Sequence, residues 1–85
     1  MERREAMTLG QFIKAKRVEA GLGQKDVADH MGWISPQLQS NLERDVSQPP
    51  RKTLKRFCDF LNIEYEAMKD YLVQDFLEEL EECFR

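Results

Sequence analysis

The chain has 85 residues, 41% hydrophobic and 34% charged, with a net charge of −3 and a pI near 5.1. That length holds one small domain, the composition excludes a disordered chain, and no apolar run reaches the roughly 18 residues of a membrane span. Overall acidity argues against a polyanionic partner, but the charge is unevenly spread. Residues 1–56 carry 11 Lys/Arg against 7 Asp/Glu, a net of +4, and residues 57–85 carry 2 against 9, a net of −7. A polyanion responds to the local field, so the front two-thirds could face one while an acidic tail points away.

The opening stretch MERREAMTLGQF is charged and lacks an apolar h-region, so no secretory signal is expected. Residues 1–7 are expected to be a flexible lead-in. Thr8, followed three positions on by Gln11, has capping-box spacing and predicts the start of a first helix. Leu9, Phe12, Ile13 and Val18 supply its apolar positions, and Gly21 its C-cap. A short second helix is predicted over 24–31, with Val27, Ala28 and Met31 inward and Gly32 ending it. Ser35 is a good N-cap and Pro36 fits the first helical position, which predicts a third helix over 35–44.

After the loop DVSQPP, Leu54, Phe57, Cys58 and Leu61 mark an amphipathic fourth helix that Asn62 can cap. The remainder, to residue 85, reads as one long helix with two apolar stripes. Met68, Leu72, Phe76, Leu80 and Cys83 form one; Val73, Leu77 and Phe84 form the other. One stripe suffices for docking on a small domain, so two predict a second buried surface, most simply against a copy of itself. The dimer candidates are Leu72, Phe76, Leu80, Cys83 and Phe84. Cys58 and Cys83 lack metal or redox spacing and read as reduced core residues of a cytoplasmic protein. Most of the aromatics, Phe57, Phe60, Tyr65, Tyr71, Phe76 and Phe84, read as core.

The run IKAKRVEAGLGQKDVADHMG, then SPQLQSNLER, then PPRKTLKRFCDFLNI, resembles the helix-turn-helix domain of the phage-repressor type, the Cro/C-repressor or XRE-like family. The resemblance spans roughly residues 9–66 and rests on several elements in order: an Arg ending helix one, Gly-Leu, a Gln opening helix two, the Ala-x-x-x-Gly turn and a Glu closing helix three. It implies an all-α, five-helix fold that binds double-stranded DNA as a transcription regulator, with the helix-turn-helix domain over residues 8–63. Residues 64–85 add an extended acidic helix. It further implies that Gln37 and Asn41 reach base edges, with Ser40 and Pro36 beside them; Gln and Asn can bond adenine bidentately. Gln24 and Arg44 fall where the family holds phosphates, and Arg17 with Glu43 where it has a structural ion pair. Lys25, Arg51 and Lys52 are added as unspecific phosphate attraction.

Four departures stand out. GWIS is one residue longer than the common turn, so Trp33 or Ile34 must absorb the extra residue, and Trp33 is expected to pack on the domain. Gln39 replaces an inward apolar residue and is either half-buried with a partner or turned to the reading face. Asp45 replaces a glycine expected in the left-handed region, which Asp tolerates, and brings negative charge near the expected phosphates. The acidic last helix extends the common core.

Catalysis is not expected: there is one histidine, His30, read as surface or half-buried, with no nucleophile–base pair, phosphate loop or metal-ligand cluster. No cofactor, metal or small-molecule effector is expected. The expected function is a dimeric DNA-binding repressor. The rival is a helix-turn-helix-fold interaction module of a toxin, defence or transcription complex that has lost DNA binding.

Overall fold

The structure, a computed structural model, describes residues 7–85. The expected flexible lead-in lies outside the described residues except for Met7. Among the described residues five α-helices follow: α1 Leu9–Glu19, α2 Gln24–Met31, α3 Gln37–Glu43, α4 Leu54–Leu61 and α5 Tyr65–Cys83, with a 3₁₀ turn at Arg51–Thr53 before α4. No strand occurs among the described residues. No helix is long and apolar enough to cross a membrane.

Local chemistry sets the helix ends. Thr8 Oγ1 accepts from the Gln11 N–H at 3.2 Å while Gln11 Oε1 accepts from the Thr8 N–H at 3.0 Å, so both donors at the start of α1 are satisfied. Gly21, Gly32 and Asn62 follow α1, α2 and α4 in the left-handed region, where glycine and asparagine reverse the chain at least cost. The third helix, Gln37–Glu43, falls short of the expected 35–44 by two residues at its start and one at its end. Pro36 is its cap rather than its first residue, and Arg44 closes it. Ser35 still serves the start, its Oγ accepting from the Gln37 N–H at 3.2 Å.

The core draws on every helix: Ile13, Val27, Leu42, Phe57, Leu61 and Met68 are fully or almost fully buried. Val18 is 58% exposed, so it lies off the inner face of α1, where Leu9, Phe12 and Ile13 meet the core. Trp33 packs half-buried against Phe57, ring centroids 6.1 Å apart. Arg56 of α4 donates to the Met31 carbonyl at 2.9 Å, placing a cation on the last turn of α2, where the helix dipole favours one.

Two contacts lock α1 to the far end of α3. Asp45 sits at φ 62°, and its carboxylate accepts from Thr8 Oγ1 at 2.6 Å and from the Gly10 N–H at 2.8 Å. Its charge is thus engaged at the positive N-terminus of α1. Gly10 itself lies against the α3 backbone: a Cβ there would stand 2.6 Å from the carbonyl oxygens of both Leu42 and Glu43. Only glycine permits that approach.

The last helix departs most from expectation. Its first two turns dock through Met68, Tyr71 and Leu72, with Tyr71 stacked on Phe12 at 4.8 Å and Gln48 donating to Asp75 at 3.3 Å. Beyond that point it overhangs the domain. Phe76, Leu80 and Cys83 are therefore exposed rather than docked, together with Val73, Leu77 and Phe84. Cys83 is not a core cysteine as expected, whereas Cys58 is buried. Among the six aromatics, Phe57 and Tyr71 are buried and Phe60 half-buried, but Tyr65, Phe76 and Phe84 are exposed.

In an ordinary helix, Gly→Ala stabilises by about 1 kcal/mol. Gly10→Ala is predicted to destabilise by about 1–3 kcal/mol, the cost of overpacking against rigid backbone. Urea denaturation reads the sign directly; a stabilised variant would mean that α1 and α3 do not meet as closely as described.

Candidate nucleic-acid interface

The third helix is short, and its two faces carry different chemistry. Inward lie Gln39, Leu42 and Glu43, all buried. Outward, Gln37, Ser40, Asn41 and Arg44 recur at spacings of three and four and line one side. These outer groups are already organised. Gln37 Nε2 donates to Asn41 Oδ1 at 3.0 Å, and Arg44 Nη2 donates to the same oxygen at 2.7 Å. Ser40 and Asn41 are half-buried, Gln37 and Arg44 exposed, and Pro36 is exposed at the helix start. The surface is therefore a row of amide, hydroxyl and guanidinium groups without a carboxylate.

Behind this row is a polar cluster centred on Glu43. Its Oε2 accepts from Arg17 Nε at 2.6 Å and from Gln39 Nε2 at 2.8 Å; its Oε1 accepts from Arg17 Nη2 at 3.2 Å and from Gln24 Nε2 at 3.0 Å. Arg17 also donates to the Leu22 carbonyl at 2.7 Å. The end of α1, the start of α2 and the end of α3 thus meet at one carboxylate. Burial pushes the Glu43 carboxyl up, but the hydrogen bonds from Arg17, Gln39 and Gln24 and the charge of Arg17 outweigh it and hold the group below its ordinary value.

Gln39 settles the alternative left open by its position. It is fully buried and faces the core, so it is not on the outer row. Its Nε2 serves Glu43 while its Oε1 is buried without a partner. The helix has exchanged an apolar contact for a fourth hydrogen bond to the carboxylate. Sequence alone left this ambiguous, although Gln39 and Glu43 stand four residues apart on one helix, a pairing distance.

Gln24 lies at the first position of α2, half-buried, with its amide tied to Glu43. Backbone N–H groups of such a first turn lack intrahelical partners and can meet an anion. Lys25 follows it but pairs with Asp29 at 2.9 Å, so its charge is locally cancelled. Arg44 and Arg51 differ: their hydrogen-bond acceptors are the neutral amides of Asn41 and Gln48, the latter at 2.9 Å, which leaves their charges available. Lys52 is exposed in the same 3₁₀ turn as Arg51. His30 lies flat against Phe60 at 3.8 Å, exposed to solvent. No group of three or more His, Cys, Asp or Glu among the described residues is placed to hold a metal ion.

A family model described as helix-turn-helix matches residues 13–67, more than half of the chain. No curated protein and no solved structure matches it significantly.

Removing one partner of a buried pair leaves an uncompensated charge, so Glu43→Gln is predicted to cost about 3 kcal/mol near neutral pH. Because the folded-state pKa of Glu43 is depressed, its contribution is present above the unfolded-state value and is lost as pH falls through the folded-state value. The stability gap between the parent protein and Glu43→Gln should therefore shrink on acidification, as read by denaturant unfolding across the acid range. A gap that does not change with pH would mean that the carboxylate is not held in its charged form by these donors.

Proposed function

This chain belongs to the helix-turn-helix family of the phage-repressor (XRE-like) type, a family of DNA-binding transcription regulators, and we propose that it is a sequence-specific, cytoplasmic repressor acting as a homodimer. The observation that carries this reading is the carboxylate-free row of Gln37, Asn41 and Arg44 on the outer face of α3. In the proposed complex α3 enters the major groove. Gln37, Ser40 and Asn41 read base edges, with Pro36 against them at the helix start. To bond a base through both amide atoms, Asn41 exchanges its exposed contacts with Gln37 and Arg44 for contacts with the base. Arg44 and the first turn of α2 at Gln24 hold phosphates on either side. Arg51 and Lys52 add attraction that is blind to sequence, and Lys25 adds less because Asp29 opposes it.

Residues 8–63 are the proposed DNA-binding unit and 64–85 the docking and dimerisation helix. One such module buries roughly 600–1,000 Å² of its own surface on DNA, little for tight specific binding, so two half-sites about 34 Å apart are expected. Of the five dimer candidates, Leu72 is largely spent on the domain's own core. The proposed contact is instead the overhanging stripe of Val73, Phe76, Leu77, Leu80 and Phe84, with Cys83 beside it. The acidic flank of this stripe, Glu78, Glu79, Glu81 and Glu82, favours the rival reading, in which a different, basic protein binds there and DNA is not bound.

Selection from a random duplex pool, followed by anisotropy titration at two salt concentrations, tests the DNA reading. Affinity should fall steeply with salt. Arg44→Ala should reduce the slope of log affinity against log salt by about 1. Asn41→Ala should cost about 1–3 kcal/mol on the selected site and little on unrelated DNA. Absence of binding at low salt would leave the rival reading. Independently, Phe76→Glu with Leu80→Glu should convert a dimer to a monomer in sedimentation equilibrium and weaken binding to a two-half-site duplex far more than to a single half-site. An unchanged dimer would place the contact elsewhere.

A further inference from the structure

The turn between α2 and α3 holds two consecutive large apolar residues, and the structure treats them oppositely. Trp33 turns inward: its backbone N–H donates to the Ala28 carbonyl at 2.9 Å and its ring leans on Phe57. That fills the inward position the turn offers. Ile34, the next residue, is 105% exposed, as open to water as an isolated isoleucine. It is nevertheless held in a defined place. Trp33 anchors it on one side, and on the other the Ser35 Oγ accepts the Gln37 N–H and fixes the start of α3. Ile34 therefore stands at the N-terminal end of α3, three residues before Gln37, on a turn tied down at both ends.

We propose that Ile34 is a specificity-determining residue that reads the 5-methyl group of a thymine. The inference rests on the DNA-binding reading above. In helix-turn-helix domains the N-terminal residues of the recognition helix contact base edges, and Ile34 stands on the turn that leads into them, separated from Gln37 only by Ser35 and Pro36. A branched aliphatic side chain cannot hydrogen-bond. Major-groove edges present donors and acceptors on every base, and the only apolar feature among them is the thymine methyl. An isoleucine at this place can therefore favour one base only, by removing its methyl and the side chain from water together. Pro36, also exposed, extends the apolar patch at the helix start.

Uracil lacks only that methyl group, which gives a direct test. In the selected operator each thymine is replaced in turn by uracil, and affinity is measured for the parent protein, Ile34→Ala and Ile34→Val. For the parent protein, one position near the end of each half-site should lose about fourfold, the worth of one buried methyl. Ile34→Ala should bind the all-thymine operator correspondingly less well and be indifferent to uracil at that position, with every other position unchanged. Ile34→Val should keep most of the effect. Because the side chain is fully exposed, neither variant should alter the thermal melt. Identical uracil profiles for the parent protein and Ile34→Ala would overturn the assignment to Ile34 while leaving the DNA reading intact. A parent protein that selects no duplex at all would overturn both.

Discussion

One buried carboxylate governs the relation between the three helices that matter most. Glu43 accepts four hydrogen bonds from three side chains: two from Arg17 on α1, one from Gln24 on α2 and one from Gln39 within α3. A charge taken out of water is tolerated only if its lone pairs are filled, so the carboxylate needs all three neighbours in place at once. Moving α3 relative to α2 would break the Gln24 contact, and moving it relative to α1 would break the Arg17 pair. The angle at which α3 leaves the domain is thus tied to charge satisfaction rather than to apolar packing alone. Gly10 and Asp45 brace the same junction from the α1 side, one by allowing backbone contact and the other by binding the helix N-terminus.

This arrangement separates stiffness from recognition. The inner face of α3 is committed to Glu43, Leu42 and Gln39, while its outer row can exchange partners freely. Exposed amide and guanidinium contacts such as Gln37–Asn41 and Arg44–Asn41 are worth little in water, so replacing them with base or phosphate contacts costs little. The chain's acidity ceases to be an objection once the geometry is considered. Asp45 spends its charge on α1, and the outer row of α3 holds no carboxylate of its own; Asp75, Glu78 and Glu79 of α5 line a groove with Thr8, Asp45 and Ser47 beyond the end of that row. Lys25 and Lys55 face their own carboxylates at 2.9 and 3.3 Å, whereas Arg44 and Arg51 face amides.

Much of this was legible in the residues because the signals were local. Thr8 with Gln11, Gly32 and Asn62 each mark a helix end by chemistry confined to a few positions, and α4 announces itself by spacing alone. What stayed hidden depends on distant partners. Asp45 meets groups 35 and 37 residues away, which no local pattern reveals. The stripe of α5 keeps the same periodicity before and after Phe76, so its pattern does not tell where docking stops. That is decided by the extent of the surface formed by α1 and α4. Trp33 packs on the domain against Phe57 as its size led one to expect, but no local pattern told that Ile34 beside it would stand wholly exposed.

The most direct measurement is backbone amide chemical-shift mapping of the protein titrated with its selected duplex. The proposal that α3 reads DNA from a scaffold fixed at Glu43 predicts perturbations concentrated on Gln24–Lys25 and on 34–44, with Arg51 and Lys52 following. Amides on the overhanging half of α5 should be unmoved by DNA. Perturbations confined to α5, or none in 34–44 at saturation, would contradict it.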